Sequence, residues 1–396
     1  DRALMIVKYD GHACIINSAM INMLPPAIRK LPGFDREKGL LTREAFLQAT
    51  SHITRQVSLR KLGPQILEAV NKMADKGLGL VHTAEGVGFP LDMDLRVIRL
   101  LSRGLTSGFQ IRIFFQTMNL NRVKKFRLPR VGGCFATALD GCLGSVDAAL
   151  QKPYSHDSRW RGILFYTDRE VREFVKKANR EGLHVQLHAI GDEAFNQAIS
   201  AFARAREDCP WEDHRHSIIH ACLPTPWGLE QAAQLGLTFV VQPAFLNWPL
   251  EPREYLEKIL GDRIHNYLPL QTMIKQGIRL TGSSDAPCTF PDPLQGISAA
   301  CNHFLPGESL SITQALRLFT CNGAWLSCDE TERGSLERGK IADLIILNKN
   351  PLELSPSSLN SLQVEETILG GQVFTPEKSS WPRLLLSSLL NRNARF

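Results

Sequence analysis

From residue 64 onward the chain alternates between two patterns, a short β-rich apolar run and then a longer stretch with apolar residues at helical spacing. The apolar runs are LGLVHTA (78–84), FQIRIFFQ (109–116), a weak one within GGCFATALDG (132–141), LHVQLHA (183–189), HSIIHA (216–221), LTFVVQP (237–243) and IRLTGSS (278–284). Between them lie helical stretches such as TDREVREFVKKANREG (167–182). That stretch opens on a Thr N-cap with Glu at the capping-box position, and it closes on a glycine.

Seven strand–helix units in series predict a parallel sheet covered by helices. Their number over residues 64–322 favours an α/β fold of the (β/α) TIM-barrel type over an open, doubly wound sheet. Neither GxGxxG nor GxxxxGK[ST] follows any of the strands, so the phosphate loop that an open sheet would place at its switch point is missing. A barrel of this type wants eight strands, and the first is the one expected to be lacking. Residues 1–63 read as a loop-like and helical segment lining the barrel mouth. Residues 323–376 read as a small partial β-sandwich appendage with Gly-containing turns, and 377–396 as a tail, either a docked amphipathic helix or a frayed end.

Composition adds exclusions. The excess of six positive charges is dispersed, with no Lys/Arg run longer than three residues, so no nucleic-acid footprint emerges. No stretch is long and apolar enough for a membrane span or shaped as a signal peptide. The nine cysteines are scattered and contain no CxxC pair, which fits reduced thiols in a cytoplasm better than a disulfide framework or a zinc knuckle.

In a parallel barrel, catalytic groups stand at the C-terminal ends of strands. His188 ends LHVQLHA, His220 ends HSIIHA, and Asp285 follows IRLTGSS. Two imidazoles and a carboxylate at corresponding strand ends are a candidate divalent-metal site with positions left for water. Asp140 and Gly141 begin the loop after the weak strand, where they are placed to shape a substrate pocket. Asp192, in the Gly-Asp turn after His188, is placed to cap the following helix or to orient His188. Arg215 lies a strand-length behind His220 and suits a supporting role. His82, on an earlier strand, reads as a packed residue.

These segments resemble the amidohydrolase superfamily, in its YtcJ-like branch, amidohydrolase family 3. LHAIGDEAFNQAISAF, RHSIIHACLPTP and TGSSDAPCTFPDPLQGI are similar to the branch's metal-bearing strands. DGHACIINSAM, LDGCLGSVDAAL and GSLERGKIADLIIL add three further correspondences in the family's order. The resemblance implies a metal-dependent hydrolase of an amide or other C–N bond, N-acyl or cyclic, acting on a small molecule. It makes His188 and His220 metal ligands, gives Asp285 metal binding and the proton of the attacking water, and places His12 beside the substrate.

Two departures stand out. The family carries a His-x-His pair on its first strand, and no such pair precedes residue 64, so the sequence reads as an N-terminally truncated version. Many relatives also place a lysine, able to bridge two metals once carboxylated, four residues before Asp-Gly. Here that position is Ala136, and no lysine occurs from Val131 to Asp140, so one ion, zinc, is expected rather than two. The competing reading is a non-catalytic barrel, a binding or regulatory protein or a fragment that keeps the fold without the reaction. An open seam where the first strand belongs would leave two unpaired edges and favour a homo-oligomer.

Overall fold

Seven parallel strands form the central sheet: β1 (Leu80–Glu85), β2 (Gln110–Phe115), β3 (Arg130–Ala138), β4 (His184–Ala189), β5 (Ser217–His220), β6 (Thr238–Val241) and β7 (Arg279–Gly282). The computed structural model describes residues 2–55, 58–87, 89–376 and 381–391. Each strand pairs with its sequence neighbour, and the sheet curls as the wall of a TIM-type barrel with β1 and β7 at its two edges. All seven lie within the runs predicted from hydrophobic patterning or within a few residues of them.

Helices on one face and the barrel interior on the other bury both sides of these strands, which is why they read as continuous apolar runs. In β4, Val185, Leu187 and Ala189 are fully buried, and Gln186 and His188, on the opposite face, are buried as well. The helix Asp168–Arg180 carries the predicted capping box between Thr167 and Glu170, and Gly182 follows its end with φ 68°. Its apolar face (Val171, Phe174, Val175, Ala178) closes onto the main core.

Residues 1–63 hold helices, Ser18–Met23 and Arg43–Thr54, and in addition a sheet that the sequence did not predict. Four short antiparallel strands, Met5–Val7, Ala13–Ile16, Leu40–Thr42 and Phe34–Asp35 in that spatial order, form a separate sheet over a core of Cys14, Ile16, Leu41 and Phe46. Strands of two to four residues are too short for alternation to register. The turn joining the first two strands, residues 8–12, reaches the barrel mouth. Lys8 Nζ donates to the Gly144 carbonyl at 3.0 Å, and the Cys142 thiol donates to Asp10 at 3.2 Å.

Beyond the barrel, Leu344–Leu347, Val364–Leu369 and Gln372–Val373 form the expected small antiparallel sheet. Trp381–Leu390 is a helix that docks through Leu384 on Leu67, Val97 and Leu101, the first of the two forms expected for the tail. The rest of that tail, 377–380 and 392–396, lies outside the described residues. Among the described residues, no helix is long and apolar enough to cross a membrane, and all nine cysteines are free thiols.

Candidate metal centre

At the C-terminal ends of the strands a cavity opens, lined among others by His12, His188, His220, Glu251 and Asp285. His188 is the last residue but one of β4 and His220 the last of β5, and their rings meet edge to face with centroids 4.5 Å apart. Asp285 lies just beyond β7. His220 and Asp285 both adopt left-handed backbone, with φ of 72° and 53°. Such conformations are costly for these residues and cluster at functional sites.

Hydrogen bonding decides which imidazole atoms are available. The amide nitrogen of Gln242 donates to the Val240 carbonyl at 2.9 Å and to Ser283 Oγ at 2.8 Å, so its oxygen faces His220 Nδ1, 2.7 Å away. An amide oxygen only accepts, so Nδ1 carries the proton and the Nε2 lone pair is free. In His188, Nε2 donates to the Gly141 carbonyl at 3.1 Å. Its Nδ1 is buried without a partner. A ligating histidine is commonly held this way, with one nitrogen tied to an oxygen and the other presented to the ion.

The third donor is one that strand-end reasoning missed. Among the described residues, the cluster able to hold a metal ion is Cys134, His188 and His220, with one donor atom from each lying within 4.8 Å of the others. Cys134 Sγ is 3.9 Å from His220 Nε2 and donates to Asp285 Oδ1 at 3.6 Å. Asp285 therefore adjoins the cluster on the cavity side. Burial, only partly offset by His188 and the Cys134 and Cys288 thiols, raises its pKa to about 6. Burial and the neighbouring His188 push His220 well below the usual imidazole range.

His12 also lines this cavity, its ring 5.6 Å from that of His188 and 5.3 Å from Phe135. Burial and His188 lower its pKa to about 4, so it stands neutral. Phe245 and Trp248, stacked at 4.8 Å, also line the cavity, with Phe245 beside the His220 ring at 6.3 Å between centroids and Tyr9 edge-on to Trp248. Glu251 accepts from Tyr9 Oη at 3.3 Å. Burial, reinforced by Asp10, raises its pKa to about 7. None of Glu251, Tyr9 and Trp248 carries a motif that patterning could single out.

Four predicted residues lie outside the residues that line the cavity. Asp140 is fully buried, and its carboxylate accepts from the backbone N–H groups of Ala149, Ile190 and Gly191 at 2.9, 3.0 and 2.8 Å. It pins the loop after β4 rather than lining the pocket. Gly141 leaves no room for a side chain, because a Cβ there would stand 2.1 Å from the Asp147 carboxylate. Its carbonyl is what orients His188. Asp192 is the first residue of the helix Asp192–Asp208, whose N-cap is Gly191, and it accepts from the Gln151 N–H at 2.8 Å. Arg215 lies at the far end of β5, pairing with Asp213 and with Glu330 at 2.7 Å and stacking 3.9 Å over Trp325. It anchors the strand's entry. His82 packs on Phe114, 5.7 Å between ring centroids.

A curled parallel sheet with paired imidazoles, a thiol and a carboxylate at its C-terminal mouth defines a barrel of the metal-hydrolase kind. Residues 1–375 match the model of the amidohydrolase family, and the chain belongs to that family. YtcJ of Bacillus subtilis (strain 168) is 27% identical over 403 residues, covering 94% of this chain and 74% of the relative. The N-substituted formamide deformylase of Arthrobacter pascens is 27% identical over 225 residues, 53% of this chain and 40% of the relative. Among solved structures, an uncharacterized metal-dependent hydrolase from Pyrococcus furiosus superposes with a TM-score of 0.71 at 26% identity, covering 89% of this chain and 74% of that one.

Proposed function

We propose that the protein is a metal-dependent hydrolase that cleaves an amide or other non-peptide C–N bond of a small molecule, N-acyl or cyclic, with one divalent ion, zinc, at the mouth of the barrel. The observation that carries this reading is that His188 and His220 bring donor atoms within 4.8 Å of each other beside Asp285, while hydrogen bonds at His188 Nε2 and His220 Nδ1 leave the other nitrogen of each ring open. Amidohydrolase membership and a relative that deformylates N-substituted formamides support the C–N bond as target.

A divalent cation supplies Lewis acidity in such a site, bringing the pKa of water down toward about 7 and polarising a carbonyl. His188 and His220 would hold it. Asp285 takes a proton from the attacking water as its oxygen bonds to the carbonyl carbon, and delivers that proton to the departing nitrogen as the C–N bond breaks. His12 contacts the substrate from the hairpin side, and Phe245 and Trp248 offer its apolar part a flat wall.

Elemental analysis of the purified protein should find one equivalent of divalent metal. Amine release from N-formyl amines and N-acyl amino acids should stop on chelation and return with zinc. A protein that binds none of zinc, manganese or iron(II), and releases no amine with any of them, would be the non-catalytic barrel instead.

A further inference from the structure

We infer that Cys134 is a thiolate ligand of the metal, completing a Cys-His-His donor set in which Asp285 occupies the substrate side. The inference rests on the hydrolase reading above and extends it to the identity of the ion.

The backbone places the sulfur deliberately. Up to Gly133, β3 runs tightly between its neighbours: a Cβ on Gly132 would lie 2.0 Å from the Gln186 carbonyl oxygen, and one on Gly133 would lie 2.3 Å from Gln116 Cγ. Both glycines have φ values, 136° and 151°, that other residues rarely adopt. The ladder then breaks, since Gly133 pairs with Leu187 and the next pair is Ala138 with His188, so residues 134–137 leave the sheet as a bulge. The bulge is held at both ends. Gln116 Oε1 accepts from the Phe135 N–H at 2.8 Å, and Thr137 Oγ1 donates to Gly133 O at 3.0 Å and lies 3.2 Å from Gln186 O. Cys134, the first residue out of the ladder, is thereby turned into the mouth beside His220.

The distances suit coordination. With metal–nitrogen bonds of about 2.0–2.1 Å and metal–sulfur bonds of about 2.3 Å, the edge of a tetrahedral site is roughly 3.5 Å. Cys134 Sγ lies 3.9 Å from His220 Nε2 and 3.6 Å from Asp285 Oδ1. A second observation points the same way: His188 Nδ1, on a fully buried ring whose Nε2 is tied to the Gly141 carbonyl, has no hydrogen-bond partner among the protein atoms and is open to a ligand. On binding, the metal–sulfur bond forms, the S–H bond breaks heterolytically, and the proton leaves through the cavity to solvent. Thiolate and Asp285 carboxylate together balance the charge of a divalent ion. A thiolate selects zinc, cobalt(II) or cadmium over manganese or magnesium.

Metal-stripped protein is titrated with cobalt(II) and read by elemental analysis and near-ultraviolet absorption. The expected result is one cobalt per chain with an intense sulfur-to-cobalt charge-transfer band. That band disappears in Cys134→Ser and survives in Cys288→Ser, whose thiol lines the same cavity outside the cluster. Zinc affinity in Cys134→Ser should fall by about 100-fold or more, at least the loss typical of an outer hydrogen-bond partner. X-ray absorption at the zinc edge of the unmodified protein should show one sulfur neighbour at about 2.3 Å, and this needs no variant to fold. Stoichiometric metal with nitrogen and oxygen neighbours only, or a band that persists in Cys134→Ser, would overturn the thiolate and leave the hydrolase reading standing. Failure of the unmodified protein to bind any divalent ion would overturn both.

Discussion

His220 Nδ1 and the amide oxygen of Gln242 lie 2.7 Å apart, and this contact leaves the opposite nitrogen of the imidazole facing the cavity. Gln242 is itself fixed by Val240 and Ser283. Gln242→Leu removes the acceptor and frees the ring to take the other tautomer. Metal affinity, measured by competition with a chromogenic chelator, should fall by about 10- to 100-fold. Unchanged affinity would mean that the ring is held by packing alone.

Asp140 should matter to stability before it matters to turnover. Three buried backbone N–H groups, from segments about 40 residues apart in sequence, end on its carboxylate. Asp140→Ala strands all three, and each buried donor left unpaired costs about 1–3 kcal/mol. A loss of roughly 3 kcal/mol or more in denaturant unfolding is expected. A loss below about 1 kcal/mol would show that the loops are held otherwise.

Below the cavity, Arg112 on β2 makes two bonds to Asp329, Nε to Oδ2 at 2.9 Å and Nη2 to Oδ1 at 2.6 Å, with both side chains almost fully buried. Burial alone would raise the Asp329 pKa, but Arg112 and Ser327 outweigh it and hold the carboxyl below its usual range. A depressed carboxyl contributes stability that is present above its unfolded pKa of about 3.9 and lost as pH falls through the folded value. Asp329→Ala should cost about 3–5 kcal/mol at pH 7 by removing the carboxylate that balances the charge of a buried guanidinium. The difference from the parent protein should shrink as the pH is lowered below about 4.

Glu251 should act in the opposite sense. Its folded pKa, about 7, lies above the ordinary glutamate value because the carboxyl is buried and faces Asp10. A raised acid favours the folded state below its unfolded pKa and loses that advantage as pH climbs through the folded value. Glu251→Gln in the metal-free protein should therefore be nearly neutral at pH 4 and stabilising at pH 8. The gain should be on the order of 3 kcal/mol at most. Equal effects at both pH values would contradict the assignment.

The strands and the two histidines were legible because their signals are local. A strand buried on both faces must be apolar along its length, so LHVQLHA and HSIIHA identify themselves, and the barrel rule turns the end of each into a position at the mouth. The Gly-Gly before Cys134 was a readable sign of a bulge, since glycine inside a strand commonly marks one. The family pattern points to a lysine four residues before Asp140, and the bulge instead brings Cys134, six residues before it, to the histidines. The hairpin bearing Asp10 and His12 gave no alternation to read, because its strands, Met5–Val7 and Ala13–Ile16, are three and four residues long.

Local order along the chain thus determined the class of fold, the sequence of strands and the placement of His188, His220 and Asp285 at one end of a barrel, since periodicity and strand ends are properties of neighbouring residues. Long-range packing alone decided that Cys134 joins the histidines, that Asp140 clamps backbone instead of lining the cavity, and that Glu251 and Trp248 join the cavity wall with Tyr9 packed against both. Each of those facts is a contact between residues far apart in sequence, where what matters is where two backbones pass and which hydrogen-bond partners are left over, and no run of letters carries that information.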